Sequence, residues 1–103
     1  MLVNKFDQQD VVTLKLASGE EVLGKFVSED MFGITLSKPL MIAMTQKGPA
    51  MAPILITVDP EKDLTFAKAQ ITVTSATDKE IANQYVYQTT GIQPVTAGSI
   101  ITG

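Results

Sequence analysis

The sequence predicts an all-β fold, a small and strongly bent five-stranded antiparallel barrel followed by a C-terminal α-helix. Three observations predict it. Apolar and polar residues alternate in short runs from Val11 to Val73, glycine and acidic residues break those runs at close intervals, and helical spacing begins at Asp78.

The run Val11–Ile42 organises the chain. Val12, Leu14 and Leu16 alternate with Thr13 and Lys15, which places apolar side chains on one face of a first strand. Ala17-Ser18-Gly19-Glu20 supplies a tight reversal, with Gly19 suited to the positive φ of a hairpin turn. In the second strand Val22, Gly24 and Phe26 share a face, and a glycine there predicts a sharp bend or a close approach of another backbone. Ser28-Glu29-Asp30-Met31 forms the next turn. Phe32, Ile34 and Leu36 resume the alternation up to Pro39, and Leu40-Met41-Ile42-Ala43-Met44 continues the third strand with apolar residues on both faces. Gln46-Lys47-Gly48-Pro49-Ala50 reads as a loop, and Ile54, Ile56 and Val58 read as a fourth strand.

Asp59-Pro60-Glu61-Lys62-Asp63 is an acidic turn. Its carboxylates at alternate positions are the oxygen ligands a hard cation prefers, but the glycine and distal glutamate of a calcium loop are missing, so a solvated turn is the better reading and no metal is expected. Leu64 to Thr74 supplies the last strand or strands. Thr77 and Glu80 have capping-box spacing ahead of a helix over Asp78 to Thr89, which ends at Gly91. Before the first strand, Asp7-Gln8-Gln9-Asp10 reads as a turn, and residues 1–10 are expected to cover one end of the barrel. The expected division is a barrel over residues 1–74, a helical segment over 75–91 and an extended tail over 92–103.

Composition limits the function. The chain has 103 residues, enough for one modest core. A 45% hydrophobic content against 18% charged residues is high for so small a domain, which predicts apolar surface shared with another subunit. There is no cysteine, so disulfides and thiolate metal sites are excluded. No membrane partner and no secretion signal are expected, which points to a cytoplasmic location. The net charge of −3, with all eight basic residues lysines, argues against strong general attraction to nucleic acid.

The strand, Ser-Gly turn, mid-strand glycine, loop aspartate and apolar third strand in Val11–Ile42 resemble the first motif of the Sm-like family (Sm, LSm and Hfq proteins). Gly19, Gly24, Asp30, Ile34 and Leu36 occupy the matching positions, and the match covers about a third of the chain. Gly33 stands where the family usually has an asparagine. Phe66-Ala67-Lys68-Ala69-Gln70-Ile71 loosely resembles the Hfq form of the second motif, with one extra residue and without its histidine. The helix and Thr89-Thr90-Gly91-Ile92 resemble small Sm-like proteins of marine cyanophages. The resemblance implies an Sm-like (SH3-like) barrel whose copies pair edge to edge into a homo-oligomeric ring, and a role in binding single-stranded RNA or DNA.

On that reading Phe32 stacks on a base, Lys68 and Lys25 meet phosphates, and Asp30 accepts from a base edge or orients its loop. The residues alone also allow plainer roles: Phe32 as core, the reading favoured for an aromatic beside a strand, Asp30 as a turn former, and Lys68 as an edge-strand lysine that discourages further pairing. Catalysis is not expected and no cofactor is implied. With neither histidine nor cysteine the common bases and nucleophiles are missing, and Ser37 and Lys38, adjacent on a strand, point to opposite faces. The competing function is a structural or protein-interaction ring with no nucleic-acid ligand.

Overall fold

The structure is a computed structural model that describes residues 6–91. Its elements are β1 (Val11–Leu16), β2 (Glu21–Glu29), β3 (Gly33–Thr45), β4 (Gly48–Pro53), β5 (Leu64–Ala67), a single 3-10 turn (Lys68–Gln70), β6 (Ile71–Ala76) and α1 (Lys79–Thr90). All strand pairings are antiparallel, in the order β4-β3-β2-β1-β6, with β5 also on β3. The chain is therefore all-β with one C-terminal helix, and its sheet has six strands. The 3-10 turn joins β5 to β6 directly, so the two flanks of the sheet are brought together at that end and the sheet curls into a small barrel-like form.

Alternation in the sequence sets the inner face. Val12, Leu14, Val22, Phe26, Ile34 and Leu36 form the buried core, and Phe6, Leu16, Met41, Ile54, Phe66 and Ile71 pack around it. Phe6 lies against Phe26 with ring centroids 5.7 Å apart. The chain enters through a turn at residues 7–10, where Asp10 Oδ2 accepts from Asp7 N–H at 2.9 Å. Residues 1–5 and the tail expected over 92–103 lie outside the described residues.

A second cluster lies on the other side of the sheet, where Leu23, Leu40 and Tyr85 are buried with Ile81, Val86, Val11, Ile42 and Met51 around them. Helix α1 covers this face. The side chains of β3 change face between Leu36, in the first cluster, and Leu40, in the second. The register shows how: Leu23 pairs with Leu40 and Lys25 with Ser37, so Gly24 alone opposes Lys38 and Pro39. This is a β-bulge, and Lys38 takes a φ of 51°. A Cβ on Gly24 would stand 3.0 Å from Leu36 Cβ and 3.1 Å from both Pro39 Cα and Ser37 O. The close approach expected of this glycine is the bulge of β3.

Two sequence expectations change. Ile54, Ile56 and Val58 do not form a strand. Gly48–Pro53, read as partly loop, pairs with β3 instead through a hairpin that turns on Gln46 and Lys47, with Gly48 at φ 108°. Since β4 covers β3 from Leu40 to Thr45 and β5 covers it from Gly33 to Leu36, that edge of β3 has little left to offer a further strand. Ile54 tucks against the core while Ile56 is 98% exposed. The helix also begins one residue later than expected. Asp78, not Thr77, is its N-cap, accepting from the N–H groups of Glu80 and Ile81 at 3.1 and 3.3 Å. Thr77 instead shares a 2.6 Å hydrogen bond with Thr13 on β1. Gly91 ends the helix in the left-handed conformation, as its position predicts.

Candidate functional site

The β2–β3 turn and the 3-10 turn after β5 meet at one end of the barrel. Asp30 shapes the first: its Oδ1 accepts from Phe32 N–H at 2.8 Å and from Gly33 N–H at 3.0 Å, while its own N–H donates to Gly33 O at 3.0 Å. A short carboxylate side chain satisfying the backbone two and three residues on is the usual reason for aspartate in a tight turn. The backbone is so occupied that Met31 and Phe32 project outward, each 76% exposed. The core reading of Phe32 is thus corrected: the turn brings its backbone onto β5 and sends its ring to solvent.

Lys68 binds the same residue from the other side, its N–H donating to Phe32 O at 2.9 Å. Its Nζ lies 2.9 Å from Glu29 Oε2, with both side chains partly exposed. Lys68 stands in the 3-10 turn, not on an edge strand, so a pairing-blocker role no longer fits it. The β2–β3 turn and the 3-10 turn therefore converge on Phe32, whose N–H is held by Asp30 and whose carbonyl is held by Lys68.

Gly33 stands where β5 comes closest to β3. A Cβ there would lie 2.6 Å from Phe66 O and 3.0 Å from Thr65 Cγ2, so β5 packs too close for any side chain. Thr35 and Thr65 add a 2.7 Å hydrogen bond between the same two strands.

Lys25 is not part of this site. It is half-buried near the middle of β2, paired with Val11 and Ser37, and five residues of strand, about 16 Å, separate it from Asp30. Glu29 is the member that the sequence reading missed. Only the meeting of two turns distant in sequence reveals it as the partner of Lys68. The other described lysines are spread over separate elements, and Lys38 is paired with Glu61 at 3.4 Å.

In the acidic turn Asp59 Oδ1 accepts from Glu61 N–H at 2.9 Å, which accounts for its sequence locally. Among the described residues no group of three or more acidic side chains is placed to hold a metal ion, and no helix is long and apolar enough to cross a membrane.

The fold and this loop pair define the class: a small all-β barrel-like domain with a helix on one face and an exposed aromatic at one end. Comparison with known proteins finds no matching family model and no matching curated protein.

Proposed function

We propose that this chain is a ring-forming, Sm-like binding protein that takes single-stranded nucleic acid on the loop surface built by Asp30, Phe32 and Lys68. The observation that carries the reading is the exposed Phe32 ring, fixed at its backbone between a carboxylate residue and an ammonium residue. An exposed aromatic ring on a fixed backbone, with a lysine on the adjoining turn, is a combination that can stack bases and meet phosphates. The second-motif resemblance at Phe66–Ile71 supports the reading, because this stretch is the strand, 3-10 turn and strand start that delivers Lys68 to the β2–β3 turn.

Ring formation is part of the proposal. Among the described residues β5 and β6 each have an edge without a strand partner, and Val73 on β6 is exposed. The β4 edge carries Pro49 and Pro53, which lack the N–H that strand pairing uses. Pairing between copies through β5 and β6 would hide the unprotected edges and repeat the Phe32 loop around the assembly, adding weak contacts together. The absence of histidine and cysteine favours binding over catalysis.

A second reading, a structural or protein-interaction ring without nucleic acid, is favoured by the Lys68–Glu29 pair and the spread of the other lysines. Fluorescence anisotropy with oligo-U, oligo-A and single-stranded DNA at low and moderate salt separates the two, with assembly mass measured in the same samples. Salt-sensitive binding that Phe32→Ala and Lys68→Ala weaken supports the nucleic-acid role. An intact assembly that binds none of the strands at low salt leaves the structural ring.

A further inference from the structure

Helix α1 covers only part of the outer face of the sheet. It packs on Leu23 and Leu40, and its C-terminal end is held over β4, where Gln88 Nε2 donates to Met51 O at 3.1 Å. Toward its N-terminal end a groove of about 250 Å³ stays open between the helix and the β3–β4 hairpin. Ile42, Met44, Pro49 and Ile81 give this groove its apolar lining, and the exposed Glu21 and Asp78 are its charged members. Asp78 is engaged in the helix cap, and none of the described residues lining the groove is a lysine. Met44 stands 77% exposed there. An occupant that suits this groove is apolar and carries no negative charge.

We propose that the groove is a docking site for the chain's own C-terminal segment, with Ile100 and Ile101 seated between Met44 and Ile81. The start of the segment is well placed, because Gly91, at φ 76°, turns the chain off the helix axis three residues after Gln88 is tied to β4. Its length suffices. Ile81 lies ten residues of helix, about 15 Å, before Gly91, whereas the nine residues from Gly91 to Ile100 extend to about 30 Å. Its chemistry matches as well. Residues 92–103 include Ile92, Val95, Ile100 and Ile101 and no charged side chain, so Glu21 and Asp78 do not repel them. Adjacent residues of an extended chain point to opposite sides, so a pair of isoleucines meets both walls of the groove, the hairpin and the helix. Branched side chains with few rotamers also lose little freedom on burial. Docked in this way, the segment ties the start of α1 to the β3–β4 hairpin and takes Met44 out of water. The assignment is independent of the nucleic-acid reading.

The test uses the full chain, with hydrogen peroxide as a probe of methionine access and mass spectrometry of the digested protein as the readout. Met31, 76% exposed in the β2–β3 turn, is the control for Met44. The unmodified protein is compared with the double variant Ile100→Asp, Ile101→Asp, which places carboxylates against Glu21 and Asp78 and leaves every described residue unchanged. Met44 should oxidise about fivefold faster in the variant, with Met31 unchanged, the same circular dichroism for both proteins and no effect of dilution on either rate. Equal Met44 rates in the two proteins, or an equal rise at Met31, overturn the docking. Protection of Met44 that disappears on dilution puts the segment of a second copy in the groove and overturns docking within one chain.

Discussion

Tyr85, in the middle of α1, directs its phenolic O–H at the carbonyls of Ser37 and Lys38, 2.9 and 2.7 Å away, where β3 bulges over Gly24. The ring is fully buried with Leu23 and Leu40, so one side chain both fills the outer cluster and satisfies the carbonyls that the bulge turns away from its sheet partner. The helix is thus fastened to the sheet at the bulge opposite Gly24. Removing only the hydroxyl, in Tyr85→Phe, should cost about 1–2 kcal/mol because the carbonyls lose their donor, and Tyr85→Ala about 3–5 kcal/mol because a cavity follows. Urea unfolding at neutral pH checks both.

The same residue predicts an alkaline limit. Burial is the main cause that pushes the Tyr85 phenol above its ordinary 10.0, with the Glu61 charge adding to it against a backbone hydrogen bond. The folded state therefore holds its proton more tightly than the unfolded chain does. Stability from this group is complete below the unfolded value and falls as pH rises beyond about 10. Tyr85→Phe should flatten that fall, measured as the difference between the two proteins' unfolding free energies from pH 8 to pH 11, a range about the phenol's ordinary value.

The two close-packed glycines should differ in how their replacement is felt. Gly24→Ala drives a methyl group against Leu36 and the backbone of Ser37 and Pro39, at a cost of about 1–3 kcal/mol. Gly33→Asn meets the Phe66 carbonyl at 2.6 Å and must push β5 off β3. Amide exchange should then rise at Ile34 and Phe66 before it rises in β1 and β2.

The helix cap distinguishes neighbouring residues. Asp78→Ala should cost about 1 kcal/mol by freeing the N–H groups of Glu80 and Ile81. Thr77→Val should act through the lost bond to Thr13 instead, so its effect should shrink in a Thr13→Val background while that of Asp78→Ala does not.

At the loop surface, Lys68→Ala and Glu29→Gln should each change stability by less than about 1 kcal/mol, because the pair is partly exposed to water. Their effects on binding should be opposite in sign. Glu29→Gln frees the ammonium and should raise affinity for oligonucleotides at low salt, whereas Lys68→Ala should lower it. Anisotropy titrations of both variants test this.

Much of the fold is visible in the chain itself. The period of two in Val12–Leu16 and in Ile34–Leu36 marks the inner face because a strand's side chains alternate, and Gly91 ends the helix because the left-handed conformation is strained for other residues. Gly24 announces a close approach, and Asp30 its turn, by local chemistry alone. These features depend on a residue and its near neighbours, which is the range a sequence reading covers.

Strand pairing and side-chain company were decided in three dimensions. Ile54-Leu55-Ile56-Thr57-Val58 has the pattern of a strand, yet β4 and β5 take the edge of β3 between them, and this stretch is left as the connection from one to the other. Phe32 has the composition of a core residue, yet the hydrogen bonds that Asp30 and Lys68 make to its backbone turn its ring outward. Lys25 and Lys68 are the same residue type on comparable stretches, and only the meeting of the two turns gives one of them Glu29 and the Phe32 loop while leaving the other in mid-sheet. The physical reason is common to all three. Hydrogen-bonding edges and charged partners are supplied by residues far away in sequence, so their assignment waits until the chain has closed on itself.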